Sequence, residues 1–559
     1  MADFDFIQLS VNAEDIERIA KMEINDTSID ENSENNSLPT SAVVFNAIFG
    51  KRYFYKNLET AFSDVNNGQI GANSLVTSDG ATVSVHIDNG EKVITLLEDT
   101  NVSALEYIVK TMTIDLNGKT LSLGTGVALR TNTANIVLTI IGNNGKIVKN
   151  LASTTANERI FFAYAGSIKV LGGEYIIDIK DATVTSTVVC QCRGGATLDL
   201  NGCSFSQLIH GSTSSSTKSS IVIYGIANSK LNIENCTIFS DVKAYQGNGI
   251  YCFGELSLIE SRIDISAEQE CNGILIESGA NTHIVSCSIN SNSIGGVSTA
   301  LKNLGVAKVE KTKLFGDGLA GSIDYDAYSR GVYNSDTIEL IDCQAYGIHS
   351  GLSSTGECYI NGGLYEGINH GGLYLANTSN STTEAPKEMF VENATIAGAH
   401  YRGKNKAKRE GIFNPLTSLY VSSGCNLSLY LDNCILKGGY QWVMAVSYQN
   451  NKVYMSNCSI DLSFKGFATT SEVETIRGLS TEELASINAE TGVLKTMPKN
   501  VIRVDSALSK IYFGLGNNFK INHLLAYHSA NAAGYDEITD VFEETNQRYY
   551  VRDIVKAAT

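Results

Sequence analysis

The segment Met112-Thr-Ile-Asp-Leu-Asn-Gly-Lys-Thr-Leu-Ser-Leu123 carries apolar residues at 112, 114 and 116, then at 121 and 123, with Asn117-Gly118 between the two runs. Period-two alternation broken by Asn-Gly predicts two short half-buried strands and a sharp corner. The design returns as Leu200-Asn-Gly-Cys-Ser-Phe205, Ile233-Glu-Asn-Cys-Thr-Ile238, Ile259-Glu-Ser-Arg-Ile263, Val285-Ser-Cys-Ser-Ile289 and Val309-Glu-Lys-Thr-Lys-Leu314. Later copies are Leu340-Ile-Asp-Cys343, Val391-Glu-Asn-Ala-Thr-Ile396, Leu431-Asp-Asn-Cys-Ile435 and Met455-Ser-Asn-Cys-Ser-Ile460. One anchor per copy falls at Lys119, Gly145, Gly173, Cys203, Cys236, Ser261, Cys287, Thr312, Cys343, Gly362, Ala394, Cys434 and Cys458. Their spacing, mostly in the twenties to low thirties with irregular additions, predicts a solenoid of three-strand coils with variable corner loops over 111–464. A second strand precedes the anchor in Asn248-Gly-Ile-Tyr251, Asn272-Gly-Ile-Leu275, Arg330-Gly-Val-Tyr333 and Gly371-Gly-Leu-Tyr374. About thirteen coils at about 4.8 Å each make a rod of roughly 60 Å. The rival architecture, an array of immunoglobulin-like sandwiches, would show strand pairs joined by two-residue turns.

At 559 residues the chain exceeds one compact core, so several domains or one elongated repeat domain is expected. Fifty Gly against four Pro suit many tight corners. A net charge of −17 argues against a nucleic-acid partner, whose phosphates need an excess of Lys and Arg. No basic segment followed by an apolar run opens the chain, and no stretch approaches the roughly 20 apolar residues of a membrane span, so synthesis in a bacterial cytoplasm without membrane insertion is expected. The twelve Cys are then reduced. Cys203, Cys236, Cys287, Cys343, Cys434 and Cys458 occupy equivalent repeat positions, which predicts an interior column of small side chains. No Cys-x-x-Cys or Cys/His pair has ligand spacing, so neither metal nor cofactor is expected. Cys190 and Cys192 share one strand face and read as packing.

Residues 1–50 read as an attachment segment with short helices: one capped by Asn12, a polar stretch from Asn25 to Ser37, and a second helix from Thr40 to Gly50 with the stripe Val43, Val44, Ala47 and Ile48. That stripe packs on the next domain or on copies of itself about a three-fold axis. Residues 51–110 hold a helix-like Asn57-Leu-Glu-Thr-Ala-Phe-Ser-Asp-Val65 and a strand Val93-Ile-Thr-Leu-Leu97. This order, followed by Thr113-Ile-Asp-Leu-Asn-Gly-Lys-Thr-Leu121, resembles the N-terminal cap of right-handed parallel β-helix proteins, a pectate-lyase-like domain found in adhesins, surface proteins and phage tail spikes. The resemblance covers roughly 57–125 and implies an all-β, right-handed parallel β-helix. After 465 the pattern changes. Ser480 and Glu483 form a capping box, Val501-Ile-Arg-Val504 and Lys510-Ile-Tyr-Phe513 read as strands, and Tyr535 to Ala558 as partly helical. This mixed α/β region is expected to cap the rod, close a trimer or touch the host.

Chemistry-bearing residues concentrate in 323–402: Asp324, Tyr325, Asp326, Tyr328, Tyr333, Asp336, Tyr346, His349, Tyr359, Tyr365, Glu366, His370, Tyr374, His400 and Tyr401. Coil lengths there depart most from the mean, and loops added to one side of a stack make a groove wall. Tyr325, Tyr328, Tyr333, Tyr365, His370 and Tyr374 are the candidate sugar-binding residues, since the C–H face of a sugar stacks on an aromatic ring; plain sheet packing by outward Tyr is the alternative. A glycosidase needs two carboxyls about 5–9.5 Å apart; Asp324 with Asp326, or Asp326 with Glu366, are the candidates. A lyase would pair a base such as His370 or Tyr374 with Arg330 or Arg402. No motif selects either chemistry. The basic run Arg402–Arg409 reads as a solvated loop, Trp442 as half-buried, and His283 as structural.

Leu38-Pro-Thr-Ser-Ala-Val-Val-Phe-Asn-Ala-Ile48 resembles a segment near the N-termini of phage tail fibres, spikes and baseplate appendages. With the β-helix, it implies a bacteriophage tail spike or receptor-binding protein: a homotrimer held to tail or baseplate proteins through residues 1–50, with its rod toward a bacterial surface glycan. The alternatives are a depolymerase spike that cuts capsule or O-antigen, a non-viral adhesin, and a structural baseplate component.

Overall fold

The computed structural model describes residues between 51 and 544, apart from brief interruptions and the segments 211–218, 319–328, 379–385, 399–416, 438–442, 462–501 and 529–541. The attachment segment expected over 1–50, the capping box at Ser480 and most of 465–559 lie outside the described residues.

One coil shows the plan. Ser219–Gly225 forms its first face, Lys230–Glu234 its second and Thr237–Val242 its third. The next coil lays Gln246–Cys252, Glu255–Ile259 and Arg262–Ala267 beside them in parallel, with Tyr224 opposite Tyr251, Ile233 opposite Leu258 and Ile238 opposite Ile263. The third-face strands build a 15-stranded parallel sheet, and the first two faces share a 30-stranded one. They share it because Leu129–Ile141 and Phe161–Leu171 run through the corner between them, shifting register near Asn132. The chain is an all-β parallel β-helix. Pairing in these stacks continues past residue 464: Ile502–Val504 joins Met444–Val446, and Lys510–Phe513 joins Lys452–Ser456. Within the stretch expected to be partly helical, Phe542–Glu544 is a strand beside Lys510–Phe513.

Alternation decides which residues enter the core. On successive coils, Ile238, Ile263, Ile289 and Leu314 point inward and are buried, while Phe239, Asp264, Asn290 and Phe315 point outward. From Met112 onward, the corner between second and third faces needs a left-handed residue in the described coils, and Asn235, Glu260, Ser286, Lys311, Asp342, Asn393, Asn433 and Asn457 all have φ between 47° and 57° there. The anchor follows. Cys203, Cys236, Cys287, Cys343, Cys434 and Cys458 stack in register, all buried and unpaired. Each thiol donates to the carbonyl two residues back, from 3.2 Å in Cys236 to 3.4 Å in Cys343, and the Ser261 and Thr312 hydroxyls do the same at 2.8 Å. Small side chains with a donor hydrogen thus close the corner, which is why Ser and Thr replace Cys in this column.

One anchor is displaced by a residue. Leu364 pairs with Gln344, which puts Gly363, not Gly362, opposite Cys343. Gly362 takes the left-handed corner at φ 77°, and a Cβ on Gly363 would lie 2.1 Å from the Cys343 carbonyl oxygen, so this crossing requires both glycines.

At the start of the rod, helix Leu58–Asn67 is capped by Asn57, which accepts the Thr60 N–H at 2.9 Å, and ends at Gly68 with φ 72°. Its buried Leu58, Ala61, Phe62 and Val65 join the continuous core. Beside it, Val83–Asp88 and Glu91–Leu96 pair antiparallel before the parallel stack begins at Met112–Asp115.

Candidate functional site

The outward residues of the three faces differ in kind. On the second face, Phe390, Tyr430, Tyr454 and Tyr512 stack in consecutive coils with ring centroids 5.2, 4.7 and 4.6 Å apart and planes within 13°. Each ring face is covered by its neighbour, so this ladder stabilises the sheet and offers a ligand mainly ring edges.

The first face carries Tyr224, Tyr251, Leu275, Lys302, Tyr333, Ser353, Tyr374 and Tyr420 in one column of paired positions. Tyr333 and Tyr374, both candidates from the sequence, therefore share a surface. His370 joins them, with its ring 5.0 Å from Tyr374 and 5.3 Å from Tyr420. His349, at 3% exposure, stacks 4.4 Å from His370, and its Nδ1 lies 3.1 Å from the Ser350 hydroxyl. Burial, then His370 and Arg330, hold the His349 imidazole well below its ordinary value. The Arg330 guanidinium lies 5.1 Å over Tyr333. Ser422 and Ser447 donate to the Tyr374 and Tyr420 hydroxyls at 2.6 and 3.2 Å. These side chains are joined by their own contacts.

Tyr365 does not belong to any surface. It is fully buried among the core residues, opposite Ala345 and Ile396, and burial raises its phenol well above the ordinary value. The cause is the anchor displacement: a one-residue shift of register turns every side chain of a strand to the other face. Asp324, Tyr325, Asp326 and Tyr328, with His400, Tyr401, Arg402 and Trp442, lie outside the described residues. Of the carboxylate candidates, Glu366 is described, and it points outward on the third face beside Tyr346. His283 is on an outward second-face position, where its Nε2 lies 3.1 Å from Glu310.

The third face holds a groove of about 560 Å³ that the sequence reading passed over. Its floor is the column Phe239, Asp264, Asn290 and Phe315, one residue per coil, and Tyr346 and Glu366 continue the line. Two positions along, Asp241, Ser266, Asn292 and Asp317 form a parallel row. Phe239 is 38% exposed, and Phe315 stacks on Tyr346 at 4.7 Å. Asp264 is fixed from both sides: Oδ1 accepts the Asn290 amide at 2.7 Å and Oδ2 accepts Arg262 Nε at 2.5 Å. A carboxylate so engaged is a rigid hydrogen-bond acceptor and a poor proton shuttle. An exposed Phe239 and a half-buried Phe315 flanking a row of acids and amides give a groove able to stack on sugar rings and accept their hydroxyl protons. The signal was present in the sequence: each floor residue is three positions after an anchor.

Among the described residues, no group of three His, Cys, Asp or Glu side chains is placed to hold a metal, and no helix is long and apolar enough to cross a membrane. No family model matches the chain, and comparison with curated proteins finds no match. Among solved structures, the chain is similar to ORF18 of Geobacillus virus E2 at 10% identity, over 72% of this chain and 69% of that one, with a TM-score of 0.19. A likeness that loose says nothing about what this chain does.

Proposed function

We propose that this protein is a bacteriophage receptor-binding protein of the tail spike kind, which holds a bacterial surface polysaccharide along the third face of its β-helix. The reading takes residues 1–50 as the segment fixed to tail or baseplate proteins, on the strength of the Leu38-Pro-Thr40 resemblance, and the assembled protein as a homotrimer in the virion. One observation carries the binding function: the groove in which Phe239 and Phe315 flank Asp264 and Asn290 on consecutive coils. The repeat of the rod matters here. Equivalent side chains recur about every 4.8 Å along one axis, so a polymer laid along that axis meets similar groups again and again. Asp264, held by Asn290 and Arg262, supports the reading of this groove as a surface that binds sugar hydroxyls.

The test is titration of the intact protein with purified surface polysaccharides from candidate hosts, with polymer length measured before and after. Saturable binding with unchanged length is expected, and Asp264→Asn and Phe315→Ala should each weaken it about ten-fold, equivalent to roughly 1.4 kcal/mol. Binding that neither substitution disturbs would overturn the assignment to this groove. Sedimentation equilibrium checks the trimer against the chain mass of 60.1 kDa.

A further inference from the structure

The protein has 42 basic and 59 acidic residues, yet three arginines gather at one place near the start of the rod. Arg130, Phe162 and Gln191 occupy paired outward positions on three successive first-face coils. The Arg159 guanidinium lies 5.0 Å over Phe162, and that of Arg193 lies 4.9 Å over Tyr164 and 5.7 Å from Phe162. Arg159 Nε also donates to the Gln191 side-chain oxygen. Aromatic rings thus hold two guanidinium planes by their faces, a mode of support that leaves N–H edges for a ligand.

Among the described residues, the counter-charge felt by Arg159 comes from the buried Glu158. None of the ion pairs formed among the described residues uses Arg130, Arg159 or Arg193. The nearby carboxylate of Glu158 is spent inside, on the buried Lys149 ammonium and the Gly126 N–H. Burial first, and then the like charges of Arg193 and Arg130, pull the Arg159 guanidinium below its ordinary value, and Glu158 offsets part of this. Three cations crowded together repel one another, and a bound anion relieves that repulsion.

We infer that Arg159 and Arg193, shelved on Phe162 and Tyr164, together with Arg130, shelved on Tyr107, form a binding site for the oxyanion of an acidic sugar in a polysaccharide. Arg suits this use because its planar fork meets carboxylate or phosphate oxygens two at a time. The choice of a sugar as the carrier of the charge rests on the glycan-binding reading above; the preference for an oxyanion stands on the cluster itself.

The intact protein is titrated with three probes: an oligogalacturonate, which carries carboxylates, a glycerol phosphate polymer, which carries phosphates, and neutral dextran. Either charged polymer should bind more tightly than dextran, and which of the two does identifies the oxyanion. Arg159→Gln and Arg193→Gln should each weaken that binding about ten-fold, the loss of one charge-assisted contact. Arg193→Lys, which keeps the charge but not the fork, should fall between. Raising ionic strength to about 1 M, where the Debye length is about 3 Å, should weaken it further. Equal affinity for charged and neutral polymers, or charged-polymer binding unchanged in both Gln variants while melting shows them folded, would overturn the site. Asp264→Asn and Phe315→Ala serve as the separating controls. If only these reduce binding, the anion site fails and the groove stands; if only the arginine variants do, the reverse holds.

Discussion

A single backbone angle is the most demanding requirement on this sequence. From Met112 onward, the described coils turn from second to third face through a residue at positive φ, and Asn fills that position cheaply while Lys311 does so at φ 50°. Lys311 is exposed and makes no ion pair among the described residues, so Lys311→Gly should relieve the strain and, net of the added freedom of the unfolded chain, stabilise by roughly 0.5–1 kcal/mol in thermal melts. Tyr365 gives a second case. Its hydroxyl is buried with no hydrogen-bond partner, so Tyr365→Phe removes an unsatisfied polar group and should raise stability by about 1–2 kcal/mol without changing glycan affinity. His349 sets a pH response. Its folded pKa lies well below the ordinary 6.5, so the unfolded chain takes up a proton that the folded state refuses. Stability is therefore full above about pH 6.5 and declines as pH falls, with a slope of up to about 1.4 kcal/mol per unit from this residue. Denaturation midpoints across that range should show it, and His349→Gln should reduce the slope. His86, lowered by burial and Arg52, leaves a residual slope of the same sign.

At the scale of the element, the third-face corner works as a ladder in which each rung supports the next. The Cys287 thiol donates to the Val285 carbonyl at 3.2 Å, its sulfur accepts the Ser261 N–H at 3.5 Å, and its own N–H reaches the Thr312 hydroxyl at 3.2 Å. The column needs a small side chain able both to donate and to accept, which Cys, Ser and Thr share. Cys287→Ser should hold stability within about 1 kcal/mol of the parent, whereas Cys287→Ala leaves the Ser261 N–H without its acceptor and should cost about 1–3 kcal/mol. Urea denaturation of the two variants side by side distinguishes this account from purely apolar packing, in which the buried Ser hydroxyl would make Cys287→Ser the less stable.

Across the whole molecule, three faces built from the same coil serve different purposes. The second-face ladder from Phe390 to Tyr512 covers its own rings, whereas Phe239 on the third face keeps an exposed one. Tyr430→Ala should therefore lower thermal stability and leave polysaccharide affinity unchanged, while Phe239→Ala should do the opposite. Loss of affinity in Tyr430→Ala at unchanged stability would show that the two faces have been assigned the wrong way round. The rod also separates its charge: an arginine cluster at the start of the first face, and a row of acids and amides in the middle of the third.

The coil, the anchor column and the inward burial of alternate residues follow from the sequence alone, because a period of two and a recurring Asn-Gly-type corner are local properties that the backbone must obey. Even the groove floor could be read there, as the residue three places after each of Cys236, Ser261, Cys287 and Thr312. What the sequence could not decide was register at Gly362-Gly363, where two glycines offer two equally good corners and the pairing of Leu364 with Gln344, with the Leu364 N–H on the Cys343 carbonyl at 2.8 Å, selects one. That choice buried Tyr365. Likewise, the gathering of Arg130, Arg159 and Arg193 joins residues from three coils separated by loops of unequal length. Only stacking of the coils, set by hydrogen bonds between strands far apart in the chain, brings those charges together.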